Sequence, residues 1–184
     1  MKKLLFAFIL LLPSFGFSQT VKPITGVLGV NFGDDSTTVK SVIQKLGGRR
    51  IYQTSRDTAL TFEGLSLNGK KLFYFSVSFT SNHADYIMLA FYPSQSATGT
   101  ITNYNQVVKE FNNKYGKGIS KGFFLPPYKN GDGKEAEALH NAKGLLKTCW
   151  YGDNNTTVEM RTLGATNIVI TYNNKIIDRE DMLD

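Results

Sequence analysis

The sequence predicts an α+β fold built from two repeated units, each a helix followed by an antiparallel meander. Together they give about seven or eight strands, in one sheet or two abutting sheets, with both helices on one face. Three observations lead to this class. An apolar stripe at helical spacing, Val39, Val42, Ile43 and Leu46, follows the capping run Asp34-Asp35-Ser36 and stops at Gly47-Gly48. A related stretch returns at Val107 to Gly118, where Val39-Lys40, Lys45 and Leu46-Gly47 align with Val108-Lys109, Lys114 and Tyr115-Gly116, and Val42 with Phe111. After each helix the apolar residues change to a period of two, with turn residues between the runs.

Residues 1–19 read as a secretory signal peptide. Lys2-Lys3 form its charged start, Leu4 to Leu12 its apolar run, and Pro13 to Ser18 its small and turn residues. The apolar run is shorter than the ~20 residues a bilayer span needs. No cysteine follows it for lipid attachment, so the expected product is a secreted or periplasmic protein and not a lipoprotein. Residues 20–184 are long enough for one domain with its own core. The expected halves are 26–93 and 102–173, with an insertion at 126–143.

The formal charge is +6, and Lys2 and Lys3 contribute two of those charges. The remaining basic residues are spread along the chain without a reading motif, which argues against nucleic acid. The single cysteine, Cys149, excludes an internal disulfide and is expected to be buried and unreactive.

In chain order, Val27 to Phe32 reads as one short strand, and Thr37 to Leu46 as the first helix. Ile51 to Ser55 and Ala59 to Leu65 are strands, and Asn68-Gly69 is a hairpin turn. Leu72 to Thr80 is the clearest strand: strict alternation places Phe73, Phe75, Val77 and Phe79 on one side and Tyr74, Ser76 and Ser78 on the other. Ser81-Asn82-His83 turns into the strand Tyr86 to Tyr92. The polar stretch Ser94 to Thr100 reads as the connection between halves, with Thr102 or Asn103 capping the second helix. Strands follow at Ile119 to Leu125, Gly144 to Tyr151, Thr156 to Leu163 and Asn167 to Tyr172, with a short helix around Glu135 to Asn141. Asp178 to Asp184 is an acidic tail.

No chemistry-bearing constellation emerges. His83 and His140 lack partners at metal-ligand spacing, so no metal and no cofactor is expected. Cys149 lies mid-strand, away from the exposed electropositive setting of a nucleophile. Asn130-Gly131-Asp132-Gly133 fails as a calcium loop, because Tyr128 and Leu139 fall where ligating carboxylates belong. Phosphate-loop and nucleophile-elbow motifs are absent.

Phe32-Gly33, Ser36, Thr38-Val39 and Leu46-Gly47 resemble the opening of the SmpA/OmlA (BamE-like) outer-membrane assembly proteins. The tandem order of helix and antiparallel strands is similar to the β-lactamase inhibitory proteins. The chain departs from the first at Gly48, where a proline is usual, and from the second in lacking cysteines for disulfides. Both resemblances imply a binding scaffold without catalysis. The expected function is therefore a non-enzymatic protein-binding module whose partner is another envelope or extracellular protein. Its candidate surface is an open sheet face with Tyr74, Tyr86, Tyr92 and Trp150, since tyrosine joins a large apolar area to a polar tip. The alternative is a small-molecule or glycan-binding module, or, less favoured, an enzyme, that uses 126–143 as a lid, with His140 in the pocket beneath.

Overall fold

The computed structural model describes residues 22–51 and 58–175; the expected signal peptide, the acidic tail and most of the strand expected at Ile51 to Ser55 lie outside them. The architecture is mixed α+β, with a mostly antiparallel sheet of many strands and three helices.

The N-terminal segment forms β1 (Gly26–Val27) and β2 (Val30–Asn31), which pair with each other. The expected single strand is thus a small hairpin. Leu28 and Gly29 take φ of 55° and 75°, left-handed values that reverse the chain after two residues. Helix α1 (Ser36–Lys45) begins where Asp35 caps it, accepting from the Thr38 N–H at 2.7 Å. Gly47, at φ 82°, ends it.

Strands β3 (Arg49–Arg50), β4 (Ala59–Glu63), β5 (Ser66–Leu67), β6 (Lys70–Thr80) and β7 (His83–Phe91) follow. The β5–β6 turn is Asn68-Gly69, both at positive φ, as its sequence predicts. Ser81 and Asn82 make the β6–β7 turn in the same way.

Helix α2 (Ala97–Tyr115) starts earlier than expected. Its cap is Ser96, whose Oγ accepts from Gly99 N–H at 3.1 Å, and not Thr102 or Asn103. The second part of the polar stretch read as a connection, Ala97 to Thr100, is the first helical turn. Thr100 is fully buried there because its hydroxyl donates to the Ala165 carbonyl at 2.8 Å. Next come β8 (Ile119–Phe124), α3 (Glu135–His140), β9 (Gly144–Tyr151), β10 (Thr157–Leu163) and β11 (Asn167–Asn173).

The main sheet has nine strands in the order β3-β4-β6-β7-β11-β10-β9-β8, with β5 beside β6. Residues paired across antiparallel strands share a face. One row therefore runs Leu60, Val77, Ile87, Tyr172, Val158, Trp150, and the next Phe62, Phe75, Leu89, Ile170, Met160, Thr148. All twelve side chains are buried, and this is the first face of the sheet. Val39 and Ile43 of α1, and Tyr104, Val107, Phe111 and Tyr115 of α2, join these apolar rows in one cluster.

The β6–β7 register shifts at two places, between Ser78 and Phe79 and between Leu72 and Tyr74, and the second shift breaks the alternation of β6. Leu72 pairs with Phe91 and Tyr74 with Ala90, so Phe73 is the extra residue of a bulge. Leu72 enters the core at 1% exposure, while Phe73 is turned out to 54%. The expectation that Phe73 shares a face with Phe75 is corrected accordingly.

Candidate functional site

The second face of the sheet carries three adjacent rows. The central one runs Thr61, Ser76, Met88, Thr171, Glu159, Cys149, Ile119. To one side lie Ser78, Tyr86, Asn173, Thr157 and Tyr151; to the other lie Tyr74, Ala90, Val169, Arg161, Lys147 and Lys121. Ala90, Val169 and Cys149 are buried, yet they stand outside the cluster that takes the α1 and α2 residues. The second face thus has a dry centre of its own.

Its composition is divided. The β6–β7 side is aromatic. Tyr74 and Tyr86 are half-buried, and burial raises both phenols above their ordinary range, so both stay protonated donors at neutral pH. Tyr86 reaches Thr171 on the neighbouring strand. Phe73 stacks edge-on against Tyr74 at 6.0 Å and against Tyr92 at 5.6 Å. Tyr92 is 57% exposed, so this aromatic corner faces solvent.

The β8–β10 side is cationic. Glu159 is held by Lys147 Nζ at 3.2 Å and Arg161 Nε at 3.9 Å, so two cations meet one carboxylate. Lys121 stands over the Phe123 ring at 5.2 Å. Glu63, on β4 at the far side of the sheet, is paired with Arg49 at 3.1 Å. The local balance across β8, β9 and β10 is positive.

Of the residues singled out from the sequence, Tyr74, Tyr86 and Tyr92 come together here. Trp150 does not. It sits on the first face, 2% exposed, with its Nε1–H donating to Asn112 Oδ1 at 2.9 Å and its ring edge-on to Phe111 at 5.2 Å. The reason is parity: Trp150 pairs with Val158, one step out of phase with the Glu159–Cys149 pair. Phe73 is the aromatic residue that sequence reasoning missed. Nothing local marks it, because a bulge is decided by the register of the partner strand.

The inserted segment 126–143 is docked against the body. Tyr128, Ala138 and Leu139 are buried, and α3 packs on α2 and β9. Tyr128 donates to Glu137 at 2.9 Å and accepts from Asn141 Nδ2 at 2.7 Å. Asp132 is occupied with backbone N–H groups of Lys129 and Lys134, both at 2.8 Å. His140 is exposed at the end of α3. Among the described residues no group of three metal-ligating side chains converges, and no helix is long and apolar enough to cross a membrane.

Cys149 faces away from Thr148 and Trp150, in the dry centre of the second face. Burial pushes its thiol up to about 11, with Lys147 pulling the other way and Glu159 adding to the rise. The protonated form is therefore favoured on folding, and that contribution is lost as pH rises toward the folded value. Native protein is expected to leave Cys149 unmodified by an aromatic disulfide reagent at pH 8, and denatured protein to react fully. Rapid modification of the native state would show that this strand opens readily.

No protein-family model matches the chain, and no curated protein or solved structure matches it.

Proposed function

We propose that this chain is an exported, non-enzymatic scaffold of the bacterial envelope or medium, and that the second sheet face binds another protein. The observation that carries the reading is the solvent-facing aromatic corner, Phe73, Tyr74 and Tyr92, beside a dry sheet centre and a cationic side. Interfaces of this kind combine a desolvated core, aromatic anchors and a charged rim. The excess of Lys147, Arg161 and Lys121 over Glu159 selects a partner with an acidic surface, because like charges facing one another oppose docking.

The fold reading that goes with this function is a repeated unit. Each half is a helix followed by strands in sequence order, and the halves meet through their last strands, β7 and β11. Both helices supply residues to the single buried cluster, which supports their placement on one face and leaves the other for a partner. The similarity in element order to the β-lactamase inhibitory proteins points the same way, as fold and not as partner.

The test is affinity capture with residues 20–184 from the envelope and medium of the native host. One partner recovered near stoichiometrically is expected, with capture falling at least about tenfold in the double variant Tyr74→Ala/Tyr86→Ala. The variant should melt close to the parent. Undiminished capture by the folded variant would place the interface elsewhere, and loss of the fold would make these tyrosines core residues.

A further inference from the structure

Where the sheet ends near Tyr92, a cavity of about 190 Å³ opens between the sheet and α2. Local geometry makes it. The last β6–β7 register pair is Leu72–Phe91, just past the bulge. Beyond it the ladder closes only with a long 3.4 Å bond from Tyr92 N–H to the Lys71 carbonyl. Ser94 then peels off to donate its N–H to the Thr166 carbonyl at 2.8 Å. The chain has turned toward α2, leaving space beneath.

The cavity has two chemically distinct parts. Phe91, Val107 and Ile168 line it from the buried cluster, and Tyr92 adds an aromatic wall. The polar lining is made by Lys70, Lys71, Ser94, Asn103 and Thr166. Asn103 Nδ2 donates to Ser94 Oγ at 3.1 Å, so these two side chains are held in place. Lys70 Nζ rests on Gln106 Oε1 at 2.9 Å, a neutral acceptor that leaves its charge uncompensated. The nearest carboxylate in that network, Glu110, is one step further on, bonded to Gln106 and Asn68.

We propose that this cavity binds a small organic anion: a carboxylate on a short apolar or single-ring body. The body would lie on Phe91, Val107 and Ile168, and the carboxylate would meet Lys70, whose side chain points to the α2 side of the sheet. A cation beside neutral donors fits a carboxylate, which only accepts hydrogen bonds. Size limits the class. Drug-sized sites occupy roughly 300–1,000 Å³, so a cavity of about 190 Å³ admits a smaller body. The site shares Tyr92 with the second-face aromatic corner and otherwise uses residues, the lysines and those of α2, that the proposed interface does not.

The test uses benzoate as probe, with benzamide as its neutral counterpart, followed by amide NMR shifts on residues 20–184. Benzoate is expected to move the amides of Tyr92, Ser94, Thr166 and Ile168 in a saturable way, and benzamide to bind at least tenfold more weakly. Lys70→Gln/Lys71→Gln should weaken benzoate at least tenfold while keeping the native spectrum elsewhere. The Tyr74→Ala/Tyr86→Ala variant should bind benzoate like the parent, even where it loses the protein partner. Equal binding of benzamide, undiminished binding in a folded lysine variant, or a response to inorganic phosphate without one to benzoate would overturn the proposal. If the lysine pair proves necessary for folding, Val107→Trp, which fills the cavity from α2, should abolish the benzoate shifts; benzoate shifts that persist in that variant would overturn it as well.

Discussion

Trp150→Ala is expected to lower folding stability by about 3–5 kcal/mol, the range for deleting a large buried aromatic side chain. Trp150 is 2% exposed and lies against Phe111 of α2. It also answers a polar requirement. Asn112 Oδ1 accepts both Trp150 Nε1–H and the Gly118 N–H, each at 2.9 Å, so one side chain ties the end of α2 to the sheet. Gly118 passes so close that a Cβ there would sit 2.7 Å from the indole nitrogen. Little can collapse into the space the indole vacates, which places the cost toward the upper end. Total stability of a single domain is about 5–15 kcal/mol, so the variant should have a much lower urea midpoint.

Trp150 is also the chain's single tryptophan, so fluorescence reads this site alone. Native emission should be that of a dry indole and should stay unchanged when a partner docks on the second face. A variant that stays within about 1 kcal/mol of the parent but loses partner capture would return Trp150 to the interface and refute its place in the core.

Leu72 and Phe73 are adjacent in sequence and are expected to behave in opposite ways. Leu72→Ala should cost about 2–5 kcal/mol, since the residue is 1% exposed in the main cluster. Phe73→Ala should change stability by no more than about 0.5 kcal/mol, because the ring is 54% exposed and its aromatic neighbours are Tyr74 and Tyr92 at the sheet surface. In partner binding the order reverses. Phe73→Ala removes the centre of the aromatic corner and should reduce affinity about tenfold or more. Urea titration and capture of the same partner measure both quantities. A Phe73→Ala protein as unstable as Leu72→Ala would mean that strict alternation holds through β6 and that the bulge is absent.

The reach of the sequence is visible element by element. Asn68-Gly69 and Ser81-Asn82 marked their turns because positive φ is a local property of those residues. The stripe Val39, Val42 and Ile43, capped at Asp35 and stopped at Gly47, placed α1 within a residue of its observed ends. Gly144 to Tyr151 matched β9, and the short helix at Glu135 was found among turn signals. These features depend on neighbours a few positions apart, which the sequence displays.

Other features depended on distant partners. The start of α2 looked polar, yet the burial of Thr100 is settled by the Ala165 carbonyl, brought in by the β10–β11 turn. The bulge at Phe73 is set by pairing with β7. Alternation shows that Trp150 and Cys149 lie on opposite faces, but not which face the core occupies. The cavity beside Lys70 is assembled from β6, the end of β7, α2 and the β10–β11 turn, so no short stretch of sequence contains it. By itself the sequence determined the periodicity, the turns and the pool of aromatic and basic residues, because those are short-range and chemical. Only the tertiary structure decided which aromatics are dry and which are presented, because burial of a sheet face is a property of register and helix packing, not of any one strand.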